Sequence, residues 1–279
     1  MSVAEHYSKI QRKLLGAARD PAAAWDKFRD RIDWQREYSR PPCHYDCDPD
    51  WERQLHERMG IPFPCAAAAE FRELWPRIGD FLTAKGYRFG PESYFSWNDG
   101  DGALVRAIWC LIRHQRPATI VETGVGHGVT TRCILEALER NGGAGRLYSI
   151  DPPPSDPAAA AQIGVAVDGF AAERWRLLQG TSRRRLPRLV ADLGRIDLFI
   201  HDSLHTKRNV GFEIGVARPA LPPGGFMVID DIDTNWGFHA LAARHPGDRF
   251  WVCESEPARP DLRRFNDKGL FGIIQRSSA

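Results

Sequence analysis

Beyond residue 118 the chain switches regularly between two kinds of pattern. Short apolar runs (ATIVETG, RLYSID, RWRLLQG, IDLFIHD, GGFMVIDD, RFWVCES and LFGIIQR) alternate with longer segments whose apolar residues recur at helical spacing, such as VTTRCILEALERNG, RRRLPRLVADLG, RNVGFEIGVARPAL and WGFHALAARH. Runs of this kind, each followed by a helix, predict a parallel β-sheet covered by helices on both faces. A further helix is expected between RLYSID and RWRLLQG. The loop EPARPDLRRFNDKG between the last two runs has no convincing helical pattern, so the last strand is expected to pair antiparallel.

Residues 1–95 read differently. AAAWDKFRDRIDWQREY and AAAAEFRELWPRIGDFLTAKG have helical spacing and are separated by the breakers RPPCHYDCDPD and GIPFPC, which predicts helices without a sheet. The reading is a helical N-terminal extension over 1–95 and an α/β domain over 96–279, entered by the helix DGDGALVRAIWCLIRHQRP. Trp25, Trp34, Trp51 and Trp75 give the extension an aromatic content suited to packing, to a lid over a substrate, or to a homo-oligomeric contact.

Composition changes this picture little. A net charge of +2 over 279 residues gives no electrostatic case for nucleic acid or acidic membranes, and SRRRLPR reads as a solvated helix face. No stretch approaches the roughly 20 apolar residues of a membrane span, and MSVAEHYSKIQRKLLGAARD lacks the apolar centre of a signal peptide, so a cytoplasmic protein is expected. The six cysteines are too scattered for a disulfide framework. CHYDC, from Cys43 to Cys47, lacks the second ligand pair that a structural zinc site would need.

The chemistry gathers where strands end. ETGVGHG sets Glu122, Gly124, Gly126, His127 and Gly128 between a strand and a helix, where glycines allow close backbone approach and the helix start offers free N–H groups. The next strand ends on Asp151, placed to accept hydrogen bonds from ribose hydroxyls. Glycines of this kind also serve nicotinamide dinucleotides, but Glu122 would repel a pyrophosphate and welcome a cationic ligand. Two more strands, DLFIHDSLHT and FMVIDDIDTN, break from apolar runs into carboxylates, histidines and hydroxyls. As parallel neighbours they would present both clusters on one sheet edge.

ETGVGHG and the acidic strand end at Asp151 resemble the class I S-adenosylmethionine-dependent methyltransferases over about residues 99–276. The resemblance implies a Rossmann-like, mostly parallel sheet with an antiparallel last strand. It also implies S-adenosylmethionine bound by Glu122, Gly124, Gly126, His127 and Asp151, with QGTSRR (Gly180, Thr181) flanking the adenine and His201 near the cofactor. The carboxylate-tipped strands are similar to those of the metal-dependent O-methyltransferases of small molecules. That likeness implies Mg²⁺ held by Asp202, Asp230 and Asp231, and methyl transfer to a hydroxyl. IHDSLHT departs from the usual form of the family and leaves open whether His201 or Asp202 is the first ligand. His205 and Asp202 are the catalytic candidates: a cation would lower the acceptor's pKa, and an imidazole three residues on could accept its proton. Alternatives are a metal-independent transferase with a histidine base and a nucleoside-binding protein without turnover. Asp233 and Asn235 are expected to serve as further oxygen donors or to cap the helix that follows.

Overall fold

β1 (Thr119–Thr123) lies in the middle of a sheet whose strands arrive in the order the alternation predicts: β2 (Arg146–Asp151), β3 (Trp175–Gln179), β4 (Leu198–His201), β5 (Phe226–Ile229), β6 (Arg249–Glu254) and β7 (Leu270–Gln275). The computed structural model describes residues 21–41, 43–87, 101–154, 157–256 and 269–277. The N-terminal segment MSVAEHYSKIQRKLLGAARD and most of the EPARPDLRRFNDKG loop lie outside the described residues. Among those described, the seven strands run in the spatial order β3-β2-β1-β4-β5-β7-β6. The first five are parallel, and β7 inserts antiparallel between β5 and β6.

The helices are α1 (Pro21–Tyr38), α2 (Trp51–Met59), α3 (Ala66–Ala84), α4 (Gly102–Gln115), α5 (Val129–Arg140), α6 (Ser182–Leu193), α7 (Lys207–Ala217) and α8 (Gly237–Arg244). Asp101 starts α4 by accepting the N–H groups of Ala103 and Leu104 at 2.9 and 3.2 Å, a side-chain N-cap that satisfies otherwise orphaned donors. Nearly every residue from Ala103 to Ile112 is buried, because α4 is sandwiched between the helices before it and those on the sheet. Trp51, Leu55, Phe71 and Leu74 of the N-terminal helices join the same apolar core as Ile120, Leu147 and Trp251 of the sheet.

α1 is held differently. Its Asp26 accepts from Thr181 Oγ1 at 3.1 Å and from Arg184 Nε at 2.5 Å, and Asp33 accepts from Arg183 at 3.0 Å. Two arginines of SRRRLPR therefore dock a helix of the extension, which corrects the expectation of a wholly solvated face. Trp25, Phe28 and Trp34 are 58%, 53% and 51% exposed, so α1 presents three large apolar side chains that the described residues leave largely uncovered.

The segment between β2 and β3 also departs from expectation. In place of a full helix it forms one turn at Pro157–Ala160 followed by tight turns. Its N–H groups are taken elsewhere: Gly164 donates to the Gly126 carbonyl at 2.9 Å and Ala166 to that of His127 at 2.8 Å. The glycine-rich turn competes successfully with helix formation for these donors. No helix among the described residues is long and apolar enough to cross a membrane.

Candidate active site

The strand tips are zipped to one another beyond the regular ladder. Gly124 N–H donates to the Ile150 carbonyl at 2.9 Å, Gly180 to Asp151 at 3.0 Å, Asp202 to Thr123 at 2.8 Å, and Asp230 to His201 at 2.9 Å. This places the ends of β1 to β5 along one edge, where an open parallel sheet binds its ligands.

Glycines 124, 126 and 128 all have positive φ, at 88°, 53° and 81°, in the region that L-residues with side chains avoid. A Cβ on Gly124 would lie 1.8 Å from the Asp202 carbonyl oxygen, and one on Gly128 2.8 Å from Gly164 Cα. At Gly124 the absent side chain thus makes room for the backbone after β4. Asp151 Oδ2 accepts from Val125 N at 2.7 Å and Gly126 N at 3.1 Å, tying the turn to the end of β2. Burial raises the Asp151 pKa, and those two N–H groups work against the rise.

Glu122 sits within the core under the turn, 1% exposed, with Oε2 accepting from Thr131 Oγ1 at 2.8 Å and Ser149 Oγ at 2.6 Å. Its Oε1 is buried without a partner, and burial pushes its pKa up to about 8 despite the two hydroxyls. His127 is buried, with Nε2 3.0 Å from Gln162 Oε1 and its ring 5.4 Å from Tyr87. Thr181 spends its hydroxyl on Asp26, and Gly180 (φ 142°) faces the Arg185 side chain.

At the tips of β4 and β5 the structure brings together Asp202, Asp230 and His205, with one ligand atom from each lying within 4.8 Å of the others. Asp202 Oδ1, Asp230 Oδ1 and His205 Nε2 are all buried and lack hydrogen-bond partners, and the 3.6 Å between His205 Nε2 and Asp202 Oδ1 exceeds hydrogen-bond reach. Asp231 is placed apart from that triplet. Its φ of 50° turns it aside, and its Oδ2 lies 3.2 Å from the other ring nitrogen, His205 Nδ1. Aspartate tolerates this left-handed conformation better than most residues. Burial alone would lower the His205 pKa, but Asp231 and Asp202, with Asp230 behind them, hold it well above its usual value. Burial raises that of Asp230, and Asp231 and Asp202 raise it further. The His205 imidazole thus stands among three carboxyl groups as a counter-charge. Two carboxylate oxygens without hydrogen-bond partners, Asp202 Oδ1 and Asp230 Oδ1, suit a hard divalent cation such as Mg²⁺.

His201 is fully buried, its Nδ1 2.6 Å from Glu213 Oε2, and its ring 5.5 Å from that of His205. Glu213 was not among the sequence candidates. It accepts in addition from Thr123 Oγ1 at 2.6 Å, Ser203 Oγ at 2.7 Å and Asn209 Nδ2 at 2.9 Å. Burial opposes its charge, but the His201 imidazole and these donors hold its pKa down to about 2. A glutamate inside an apolar helical pattern gives little sequence signal, although its spacing of four from Asn209 hinted at a shared face. Thr206 caps α7 by accepting from Asn209 N at 3.2 Å, so His205 is not the cap. Asn235 Oδ1 accepts the Gly237 N–H at 2.8 Å where α8 begins, while Asp233 Oδ1 accepts from Leu270 N at 3.2 Å on β7. A cavity of about 310 Å³, lined by Leu111, Pro117, Asp197 and Pro222 among others, opens at the opposite sheet edge and touches none of these groups.

Residues 121–232 match the family model Methyltransf_24, described as a methyltransferase domain. No protein of curated function matches the chain by sequence. Among solved structures, an O-methyltransferase from Bacillus cereus in complex with SAH superposes with a TM-score of 0.51 at 12% identity, covering 81% of this chain and 97% of its own. An O-methyltransferase of Klebsiella pneumoniae, so described provisionally, gives 0.50 at 13% identity, covering 83% and 91%. At such identities the likeness is one of fold.

Proposed function

We propose that this chain, whose residues 121–232 match a methyltransferase domain, transfers the methyl group of S-adenosylmethionine to a hydroxyl of a small molecule with the help of a divalent cation, Mg²⁺ foremost. The observation that carries this reading is the trio of buried, unpaired atoms Asp202 Oδ1, Asp230 Oδ1 and His205 Nε2 at the edge beside the glycine turn. Buried polar atoms without partners are costly, and a site that keeps three together is built for something that pairs them.

The cofactor would lie along Gly124–Gly128, with Asp151 toward its ribose and Gly180 and Thr181 beside its adenine. The Asp151 carboxylate already holds the turn through Val125 and Gly126, which fixes the backbone the cofactor meets. Asp202 and Asp230 would hold the cation, with Asp231 acting through the His205 ring. A cation there supplies positive charge that lowers an acceptor hydroxyl's pKa and fixes its oxygen. With a cation held there, His205 would no longer be needed as the counter-charge, and its Nε2 could take the acceptor's proton while Asp231 orients Nδ1. Thr123, His201, Ser203 and Asn209 bond to Glu213, so that Glu213 positions the 201–203 segment and with it Asp202.

A metal-independent transfer is the second reading, favoured by the 3.2 Å contact between Asp231 and His205: a carboxylate-oriented imidazole can serve as a base alone. Calorimetric titration of the S-adenosylhomocysteine-bound protein with Mg²⁺ and Mn²⁺ separates the two. Saturable binding in wild type that weakens in Asp202→Asn and Asp230→Asn supports the metal reading. Titrations without heat for both ions, alongside methyl transfer insensitive to chelator, would leave the histidine mechanism.

A further inference from the structure

The chain holds a second cluster of metal-binding side chains, far in sequence from the methyltransferase edge and unused by the proposed chemistry. His56 on α2, Cys65 at the start of α3 and Cys110 on α4 each place a ligand atom within 4.8 Å of the others. All three are buried, at 0%, 8% and 1% exposed. His56 Nε2 lies 3.1 Å from Cys65 Sγ, and the two sulfurs are 3.9 Å apart. His114, one turn after Cys110 on the same face of α4, has its ring 5.9 Å from that of His56 and a buried Nε2 without a partner.

We infer that His56, Cys65, Cys110 and His114 form a structural zinc site that ties the N-terminal helices to α4. The donor set, two thiols and two imidazoles, is the kind that selects zinc among common cellular divalent ions. A tetrahedral zinc with Zn–S bonds of about 2.3 Å holds its two sulfurs about 3.8 Å apart, close to the separation seen. The tautomer is prepared as well. His56 Nδ1 lies 2.6 Å from the Glu52 carbonyl, which can only accept, so Nδ1 carries the proton and Nε2 presents its lone pair to the sulfurs. Cys65 is positioned by the Ala68 N–H, which donates to its sulfur at 3.3 Å. Cys65 and Cys110 belong to the same apolar core as Trp109, Phe71 and Ala67, and half-buried His114 stands at the more exposed side of the cluster, an enclosure suited to a structural site rather than a catalytic one.

The sequence breakers explain the arrangement. GIPFPC, between α2 and α3, turns the chain so that Cys65 comes back onto His56 nine residues earlier. Cys110 and His114, four apart on α4, supply the facing pair. CHYDC, the segment whose spacing first suggested a metal, contributes none of these ligands.

Elemental analysis of full-length protein purified without chelator tests the site, with stoichiometric zinc expected. Replacement by Co²⁺ should then give a thiolate-to-cobalt charge-transfer band together with the visible bands of a tetrahedral ion. Asp202→Asn and Asp230→Asn should retain the full zinc content and spectrum, while Cys110→Ser should lose both. His114→Gln, less buried and safer for folding, should weaken cobalt binding at least tenfold. Strong chelation should lower the melting temperature by several degrees and open Cys65 and Cys110 to thiol reagents. Substoichiometric metal together with a cobalt titration lacking the charge-transfer band would overturn the site, whatever the variants do. So would a Cys65–Cys110 disulfide in protein prepared under nitrogen. Because every readout is metal content, spectrum or melting, failure here leaves the methyltransferase reading intact.

Discussion

The two clusters of potential ligands differ in every respect that matters to a metal. At the carboxyl edge of the sheet, Asp202, Asp230 and His205 offer mainly oxygen, are only partly buried, and sit beside a turn shaped for a cofactor. Between α2, α3 and α4, His56, Cys65 and Cys110 offer sulfur and nitrogen and are almost wholly enclosed. A site meant for turnover must leave room for an incoming group, whereas a site meant for cohesion gains by excluding everything but the ion. Burial and donor chemistry, taken together, distinguish the two roles where either alone would not.

Gly124→Val strikes hardest at one side of this contrast. Its Cβ would overlap the Asp202 carbonyl at 1.8 Å in a backbone region that valine avoids. We expect a loss of about 4 kcal/mol or more and no measurable S-adenosylhomocysteine binding by calorimetry. Whatever protein folds should keep its thiols as slow to react as in wild type. Fast thiols there would mean that the two clusters are not independent.

Glu122→Gln addresses the proton held beneath the turn. The carboxyl has a folded pKa of about 8 against an ordinary value of 4.5. Its stabilising contribution is therefore whole below the ordinary value and drains away as pH rises through about 8. Urea unfolding from about pH 5 to about pH 9 should show wild type losing stability by up to about 1.4 kcal/mol per pH unit relative to the glutamine variant. Parallel curves would place the titrating group elsewhere.

Asp202→Asn and Asp230→Asn should each weaken Mn²⁺ binding by about tenfold or more while changing S-adenosylhomocysteine affinity by less than about twofold. An equal loss of both would merge cation site and cofactor site into one. The smallest effect concerns protons. With the His205 and Asp230 pKa values both raised in the cation-free site, Mn²⁺ must displace protons to bind. Its affinity should then climb as pH rises from about 6 to about 8, with net proton release seen by calorimetry in buffers of different ionisation enthalpy. Pulling His205 away from Asp231 by His205→Gln should reduce that release.

Much of the sheet could be read from the chain because each strand was an apolar run followed by a helical period, and because the polar residues at 151, 202 and 230 interrupt such runs abruptly. The turn containing Gly124 was legible from the glycine spacing, but the reason for it was not. What fills the space is the backbone of a residue far along the chain, and the pattern carries no information about that contact. The segment after Asp151 was expected to be helical, yet the N–H groups of Gly164 and Ala166 go to the carbonyls of Gly126 and His127. Distance in sequence also hid His56, Cys65 and Cys110, since no compact spacing links residues brought together by three separate helices. Glu213 escaped because a carboxylate on a helix is ordinarily solvated, and only the tertiary fold reveals that this one is enclosed.

Glu213 also bears on how readily this protein could change by single substitutions. Thr123, His201, Ser203 and Asn209, from β1, β4, the loop after it and α7, all converge on one carboxylate with no access to water. Altering any donor alone leaves a buried negative charge short of a partner, and altering Glu213 alone removes an acceptor shared by four polar side chains. The route from this arrangement to an apolar one thus crosses a valley of unstable intermediates, although both ends could be stable. Variation among natural homologues should then be correlated across these positions, with the five residues exchanged as a block.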